Sequence, residues 1–337
     1  MSTVREPPRV VVLTAEGTPP PGNEEALRAL ADVTVVTREG LADALAGTGG
    51  RRPAEVLLLW DFFSDALAGA WDAATGLRWV HVAAAGVDAG VDAVLFPALR
   101  SSAVLVTNAH GVFDRPIAEF VLAAVLAQDK QLHRSARLQR EHRWVHRELR
   151  RTQGSTALVV GTGGIGRATA RLLRAVGVEV RGAGRTARAE DPDFGTVVPA
   201  AKLAEHAGWA DHVVLAAALT GRTHGIVGPR VLAAMSPHAH LVNVGRGALV
   251  DEDALLEALR AGRPAAATLD VFDTEPLPRD HPFWAMDNVH VSAHMCGDVE
   301  GWRDELAAQF EDNLRRWTAG ERLVDQVDKN AGYVRSR

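Results

Sequence analysis

The stretch TALVVGTGGIGRATARLLRAVG, residues 156–177, decides the fold. It opens on the apolar run Ala157-Leu158-Val159-Val160, which predicts a buried strand. Gly161-Thr162-Gly163-Gly164-Ile165-Gly166 follows. The next residues predict a helix, because Ile165, Ala168, Leu172, Leu173 and Val176 recur at helical spacing. Gly177 ends that helix, and Val178-Glu179-Val180 begins a second strand. Strand, glycine turn, helix, strand is the opening of a dinucleotide-binding unit. In such a unit Gly161 permits the tight turn, Gly163 lets the backbone approach a pyrophosphate, and Gly166 lets the helix pack close to the strand. The helix N-terminus presents N–H groups and a positive dipole end to the phosphates. A glycine turn alone also serves as plain punctuation between strand and helix. The flanking strands and the amphipathic helix favour the nucleotide reading, and that reading names no reaction.

The chain has 337 residues, 47% hydrophobic and 23% charged, as expected for a globular protein of two domains. Its formal net charge of −5 argues against nucleic acid as a partner. A single cysteine, Cys296, excludes an intrachain disulfide framework and fits a reducing compartment. The N-terminus lacks a signal-peptide h-region, and no apolar run reaches the ~20 residues that span a bilayer. A cytoplasmic enzyme with no membrane partner is the expectation.

Upstream of the glycine unit, short apolar runs at 10–14, 33–37, 56–60, 79–83 and 104–108 predict strands. Helix-like stretches at 24–31, 41–46, 65–73 and 91–95 lie between them. This predicts a smaller parallel α/β layer. Its loops at Trp60-Asp61-Phe62-Phe63 and at 83–88 stand at strand C-termini, where α/β ligand sites form. A long helical tract from 117 to about 151 leads on to the glycine unit, apolar first and then basic. His142 and His146 stand there at i, i+4, but no third ligand is nearby and no metal is expected. The basic face reads as a solvated or subunit-facing surface. Downstream, strands are expected at 197–198, 212–216, 241–244, 266–271 and 289–292, with helices at 203–207, 229–235, 251–261 and 299–319. The fold class is therefore α/β, with two doubly wound parallel-sheet domains: a Rossmann cofactor domain over 110–296, and a flavodoxin-like substrate domain over 1–109 plus 297–337.

Arg246, Glu275 and His294 each stand at or just after a predicted strand end of the cofactor domain. Singly, each has a bland reading: a surface ion pair, a turn residue before proline, a satisfied core histidine. Together they make one chemistry. Reducing a 2-oxo acid needs a hydride donor, a proton donor for the carbonyl oxygen, and a cation for the substrate. A protonated His serves as the acid. A carboxylate beside it favours the imidazolium. An Arg binds carboxylate and polarises the carbonyl.

The chain resembles the D-isomer-specific 2-hydroxyacid dehydrogenases across nearly its whole length. The matching stretches are AAAGVDAGVD at 83–92, NAHGVFDRPIAEFVLAAVLA at 108–127, VVGTGGIGRATA at 159–170, LVNVGRGALVDEDAL at 241–255, LDVFDTEPLP at 269–278 and HPFWAMDNVHVSAHMCG at 281–297. The resemblance implies that Arg246 binds the substrate carboxylate and carbonyl, that His294 is the general acid/base and that Glu275 pairs with it. It further implies that backbone amides of Ala85-Gly86 bind the substrate carboxylate, that Asp270 holds the nicotinamide amide, and that the protein is a homodimer. The chain departs from the family pattern at Ala293, where proline is usual before the histidine, and at Ala217-Ala218-Leu219-Thr220, where LPLT is frequent. Cys296 reads as a small packing residue near the site rather than a nucleophile.

The coenzyme is read at the end of the second strand of the unit. An NAD site usually places an acidic residue there; here Gly184 occupies the position, and Arg185, Thr186 and Arg188 follow. Basic and hydroxyl groups suit a 2′-phosphate, so NADP(H) is favoured over NAD(H). Leu219, Thr223 and Val244 join the glycine loop as candidate cofactor contacts. The expected activity is reduction of a small 2-oxo acid to the D-2-hydroxy acid. Trp60, Phe62, Phe63, Trp144 and Trp284 are candidates for an apolar substrate pocket or for core packing. A glyoxylate or hydroxypyruvate reductase is the alternative within the class; a non-enzymatic dinucleotide sensor on the same fold is the alternative outside it.

Overall fold

The computed structural model describes residues 6–87 and 95–334. The helix expected at 91–95 lies, apart from Leu95, outside the described residues, as does the end of the AAAGVDAGVD stretch. The chain divides into two compact units: unit 1 comprises Met1–Val112 with Glu300–Arg337, and unit 2 comprises Phe113–Val299. The boundaries expected from sequence fall a few residues earlier at both junctions.

In unit 1 the strands are β1 (Arg9–Leu13), β2 (Asp32–Val36), β3 (Val56–Leu59), β4 (Trp79–Val82) and β5 (Leu105–Asn108). They form a parallel sheet in the order β2-β1-β3-β4-β5, a doubly wound arrangement. Residues Val10 to Leu13 and Val56 to Leu59 are fully buried. Helices cover both faces of such a sheet, and its strands therefore read as unbroken apolar runs. The helix Trp302–Ala319 returns to this unit and lays Phe310 on Trp79, ring centroids 5.3 Å apart, with Trp317 beside them. It begins three residues later than the apolar pattern suggests, because Gly301 takes a left-handed conformation (φ 83°) ahead of it. The C-terminal tail is held by Lys329, whose Nζ donates to the carbonyls of Leu99, Ser102 and Val104 at 3.1, 2.6 and 2.9 Å.

Unit 2 contains β6 (Thr156–Val160), β7 (Glu179–Gly184), β8 (Arg188–Asp191), β9 (Gly195–Pro199), β10 (His212–Leu215), β11 (His240–Asn243), β12 (Ala266–Leu269) and β13 (Val289–Val291). Their order is β13-β12-β11-β10-β6-β7-β9-β8, with every pair parallel except the edge hairpin β8–β9. The chain goes one way from β6 and returns to the other side at β10. The loops after these two neighbours therefore flank the topological switch point, where ligands of open α/β sheets bind. The helix Gly164–Ala175 buries Gly166, Thr169, Ala170 and Leu173. The stripe of Ile165, Ala168 and Leu172 is half-buried. The helix is thus covered on two sides, since helix Asp114–Asp129 packs against it.

Two expectations for unit 2 are corrected. The strand β8 has no apolar alternation and was not anticipated. It exists because Asp191 ends it and accepts from the N–H groups of Asp193 and Phe194, closing the hairpin. The tract from 117 to about 151 is not one helix. It splits into Asp114–Asp129 and Leu132–Arg140 around Gln131 (φ 48°), and after His142 (φ 54°) the chain doubles back without helix. Arg147 holds the returning strand of chain, donating to Ser135 Oγ at 2.5 Å and to Gln131 Oε1 at 2.9 Å, and Lys130 Nζ donates to Arg150 O at 2.6 Å. His142 and His146 therefore share no helical face.

Candidate active site

The glycine turn follows β6. Gly161 has φ 109°, and a Cβ there would lie 2.4 Å from Ala216 O; one on Gly166 would lie 2.0 Å from Gly161 O. Neither position admits a side chain, so the helix packs tightly against the strand end. Gly163, by contrast, faces open space, with no atom within 4 Å of a Cβ. A cradle closed behind and open in front is the shape a pyrophosphate requires, and helix Gly164–Ala175 turns its N-terminus toward it. Gly164 backs onto the Asp114 carboxylate, and Ile165 is half-buried beside it.

Across the switch point, Thr223 staples the loop after β10. Its hydroxyl donates to Ala218 O at 2.8 Å and accepts from Thr220 N at 2.8 Å, while Leu219 packs on the core. Val244 is buried after β11, its N–H on Leu215 O at 3.1 Å. At the end of β7, Gly184 is buried, and a Cβ there would sit 3.0 Å from Thr162 Oγ1. Arg185 and Thr186 follow it, both exposed. Arg188 is engaged elsewhere: its Nε donates to Asp191 Oδ2 at 3.0 Å, and Asp191 also takes Arg167 Nη1 at 3.1 Å.

The candidate reacting groups come from three neighbouring strand ends. After β11, Asn243 turns the chain, its Oδ1 accepting from Gly245 N at 3.1 Å and its Nδ2 donating to Arg246 O at 2.9 Å. This presents Arg246 half-buried, with Nη1 on Gly245 O at 2.8 Å. After β12, Glu275 Oε1 accepts from Phe272 N at 2.9 Å. Its Oε2 meets Nδ1 of His294 at 2.7 Å. The carboxylate thereby fixes the ring and its orientation through Nδ1.

His294 follows β13 with φ 50°, a left-handed conformation for a residue with a side chain. Asp270 holds it there. Asp270 is fully buried; its carbonyl accepts from His294 N at 2.8 Å, and its carboxylate oxygens accept from Met295 N and Cys296 N, each at 3.1 Å. This positioning role is absent from the sequence reading. Both oxygens retain lone pairs for another donor.

The electrostatics match the geometry. The hydrogen bond to Glu275 raises the His294 pKa above the usual histidine range, against burial and the Arg246 charge. Burial would raise the Glu275 pKa, but the bonds from His294 and the Phe272 N–H outweigh it and hold the carboxyl below its ordinary value. Arg246 interacts electrostatically with both. Cys296 is buried, and burial followed by the Asp270 charge pushes its thiol far above the ordinary range, so it stays protonated.

The remaining candidates are divided between the two units. Trp60, Ala85 and Gly86 belong to unit 1. Trp60 is buried, with its indole N–H on Pro19 O at 3.1 Å, and it packs the core. Ala85 is exposed and its carbonyl accepts from Asn108 Nδ2 at 2.5 Å. Phe62 is half-buried and Phe63 exposed. Trp144 and Trp284 stand on the surface of unit 2, Trp144 almost wholly exposed. Among the described residues no cluster of three or more His, Cys, Asp or Glu has metal-binding geometry, and no helix is long and apolar enough to cross a membrane.

A doubly wound nucleotide fold with an imidazole–carboxylate pair and an arginine at its strand ends defines a nicotinamide-dependent oxidoreductase. Residues 122–296 match the family described as D-isomer specific 2-hydroxyacid dehydrogenase, NAD binding domain, and the chain belongs to that family of NAD(P)-dependent enzymes. It is 31% identical over 292 residues to glyoxylate/hydroxypyruvate reductase A of Serratia proteamaculans, covering 85% of this chain and 90% of the relative. A D-isomer specific 2-hydroxyacid dehydrogenase of Xanthobacter autotrophicus Py2, solved in complex with NADPH and MES, is 32% identical with a TM-score of 0.80, covering 97% of this chain and all of that one. An NADPH-dependent glyoxylate/hydroxypyruvate reductase from Sinorhizobium meliloti, solved with NADP and sulfate, is 26% identical with a TM-score of 0.80, covering 96% and 100%.

Proposed function

We propose that this chain reduces a small 2-oxo acid to the D-2-hydroxy acid, with unit 2 as the cofactor domain and unit 1 as the substrate domain. The observation that carries the reading is the 2.7 Å His294–Glu275 pair, with Arg246 on the neighbouring strand end. Gly161–Gly166 would hold the nicotinamide cofactor, which would supply the hydride. His294 holds a proton at Nε2 for the carbonyl oxygen, Glu275 sustains the imidazolium, and Arg246 binds and polarises the oxo acid. Backbone amides at Ala85-Gly86 take the substrate carboxylate. In the reverse direction neutral His294 accepts the hydroxyl proton.

NADP(H) is the preferred coenzyme in this reading. Gly184 leaves no carboxylate for the ribose hydroxyls, and Arg185 with Thr186 suits a 2′-phosphate. The Xanthobacter and Sinorhizobium structures carry NADPH and NADP respectively. Within the class, glyoxylate and hydroxypyruvate are the substrates to try first, because relatives bearing that name align along most of the chain. NADPH oxidation followed spectrophotometrically with a panel of 2-oxo acids tests the reading. Saturable turnover with NADPH faster than with NADH at equal concentration is expected. Nucleotide binding without turnover of any 2-oxo acid would favour a dinucleotide sensor instead. The assembly proposed is a homodimer, for which a sizing column should give twice the 36.0 kDa chain mass.

A further inference from the structure

Gly182 and Gly184 stand two apart at the end of β7. Neither has a left-handed backbone, so the path of the chain requires glycine at neither. Glycine within a strand also marks a place that another group approaches closely. Here that group is Thr162, between Gly161 and Gly163 in the glycine turn. A Cβ on Gly184 would lie 3.0 Å from Thr162 Oγ1 and 3.1 Å from its Cγ2, and one on Gly182 would lie 3.2 Å from Cγ2. Other neighbours crowd the same positions: Phe194 Cγ would be 2.9 Å from the Cβ on Gly182, and Val197 Cγ1 3.4 Å from the one on Gly184. Phe194 has no room to yield. It is buried, with the Arg167 guanidinium over its ring at 5.6 Å from the centroid, and Arg167 Nη1 is fixed on Asp193 Oδ2 at 2.7 Å. Thr162 is branched at Cβ and stiff at χ1, so it too resists displacement.

In a dinucleotide unit the residue at this strand end meets the ribose hydroxyls of the adenosine half. A carboxylate that selects NAD(H) would have to grow from a Cβ on residue 184, and Thr162 crowds that Cβ. The Thr162 hydroxyl itself stands at the ribose end of the glycine turn, half-buried, and among the described residues it has no hydrogen-bond partner. Its O–H can donate to a 2′-phosphate in a charge-assisted bond, roughly twice as strong as the neutral bond it could make to a 2′-hydroxyl. We propose that Thr162 is a coenzyme-specificity residue, which shuts out an acidic side chain at position 184 and supplies a donor to the 2′-phosphate. This rests on the NADP(H) preference proposed above. Thr162 and Gly184 then act as a pair, and neither alone sets the choice.

Equilibrium binding of NADPH and of NADH to the full chain, followed by quenching of tryptophan fluorescence without any 2-oxo acid, tests this. The wild-type ratio of the two Kd values tests the NADP(H) reading by itself: tighter binding of NADH ends that reading and this proposal with it. With NADPH the tighter ligand, Thr162→Val keeps the shape and loses the hydroxyl. It should weaken NADPH binding about tenfold more than NADH binding, and Thr162→Ser should restore most of the preference. Gly184→Asp should lose NADPH affinity without a matching gain for NADH, and should melt at a lower temperature. Thr162→Ala/Gly184→Asp removes both Thr162 atoms that crowd the new Cβ. It should bind NADH about tenfold more tightly than Gly184→Asp does and melt higher, a non-additive effect of the two substitutions. Thr162→Val needs no new space, so its result decides even where Gly184→Asp does not fold. A wild-type coenzyme ratio in Thr162→Val, or equal NADH affinity in Gly184→Asp and the double variant, overturns the proposal.

Discussion

One neighbour raises the pKa of His294 and another keeps the residue in place, and the two effects are separable by mutation. Glu275→Gln keeps the shape but removes the charge that raises the His294 pKa. Reduction needs the imidazolium, so the alkaline limb of the kcat profile for 2-oxo acid reduction should move to lower pH. A limb that stays put would remove Glu275 from the proposed role. His294→Ala should cost on the order of 10²–10⁴ in kcat while leaving the Kd for NADPH unchanged. Asp270→Asn removes one of the two acceptors that hold Met295 N and Cys296 N. An orphaned buried N–H costs about 1–3 kcal/mol, so urea unfolding should show a loss of that size, together with a lower kcat. Arg246, Glu275 and His294 were legible in the sequence because each stands beside an apolar run that ends in polar residues. Asp270 was legible only as a candidate for the cofactor. Its hold on His294 joins residues 270 and 294, far apart in sequence, and depends on a backbone conformation that no side-chain pattern announces.

At the level of elements, the site depends on two loops touching. A Cβ on Gly247, after β11, would lie 2.0 Å from the Phe272 carbonyl carbon, after β12. Gly247→Ala must push apart the loops that carry Arg246 and Glu275. Overpacking of this kind typically costs about 1–3 kcal/mol, and both the melting temperature and kcat should fall. A wild-type kcat in this variant would show that the loops have slack. Strands were legible here wherever both faces are buried, since continuous runs such as Val213 to Leu215 have no other reading. The edge strand β8 and the break in the basic tract were not. Both are set by long polar contacts: Asp191 and Asp193 to Arg167 and Arg171 in the first case, Arg147 to Gln131 and Ser135 in the second. Neither Gln131 nor His142 is a residue type that marks a helix break.

For the molecule as a whole, several histidines are folded in neutral form. Burial lowers the pKa of His81 to about 3 and of His290 to about 4, and it also lowers those of His133 and His240. Their folded pKa values lie below the ordinary histidine value of 6.5, so the unfolded chain binds more protons in the interval between them. This contribution to stability is complete above that value and is lost as pH falls from it toward about 4 and below. The urea midpoint should therefore drop between neutral pH and mildly acidic pH. His240→Gln, which cannot become charged, should show a shallower drop, and an identical slope would place the acid sensitivity elsewhere.

Unit 1 is built from both ends of the chain, with unit 2 inserted between them. During synthesis, Trp79 emerges long before Phe310, the ring that stacks on it. At about 5–20 residues per second the ribosome needs on the order of 10–50 s to deliver the missing helix. Throughout that interval one aromatic face of the nascent β-sheet has no cover, while the inserted unit can already close on itself. The protein's most aggregation-prone moment thus comes with its second unit complete and its first still waiting. Slowing translation within the inserted unit should lower soluble yield more than slowing it after Ala319 has been made.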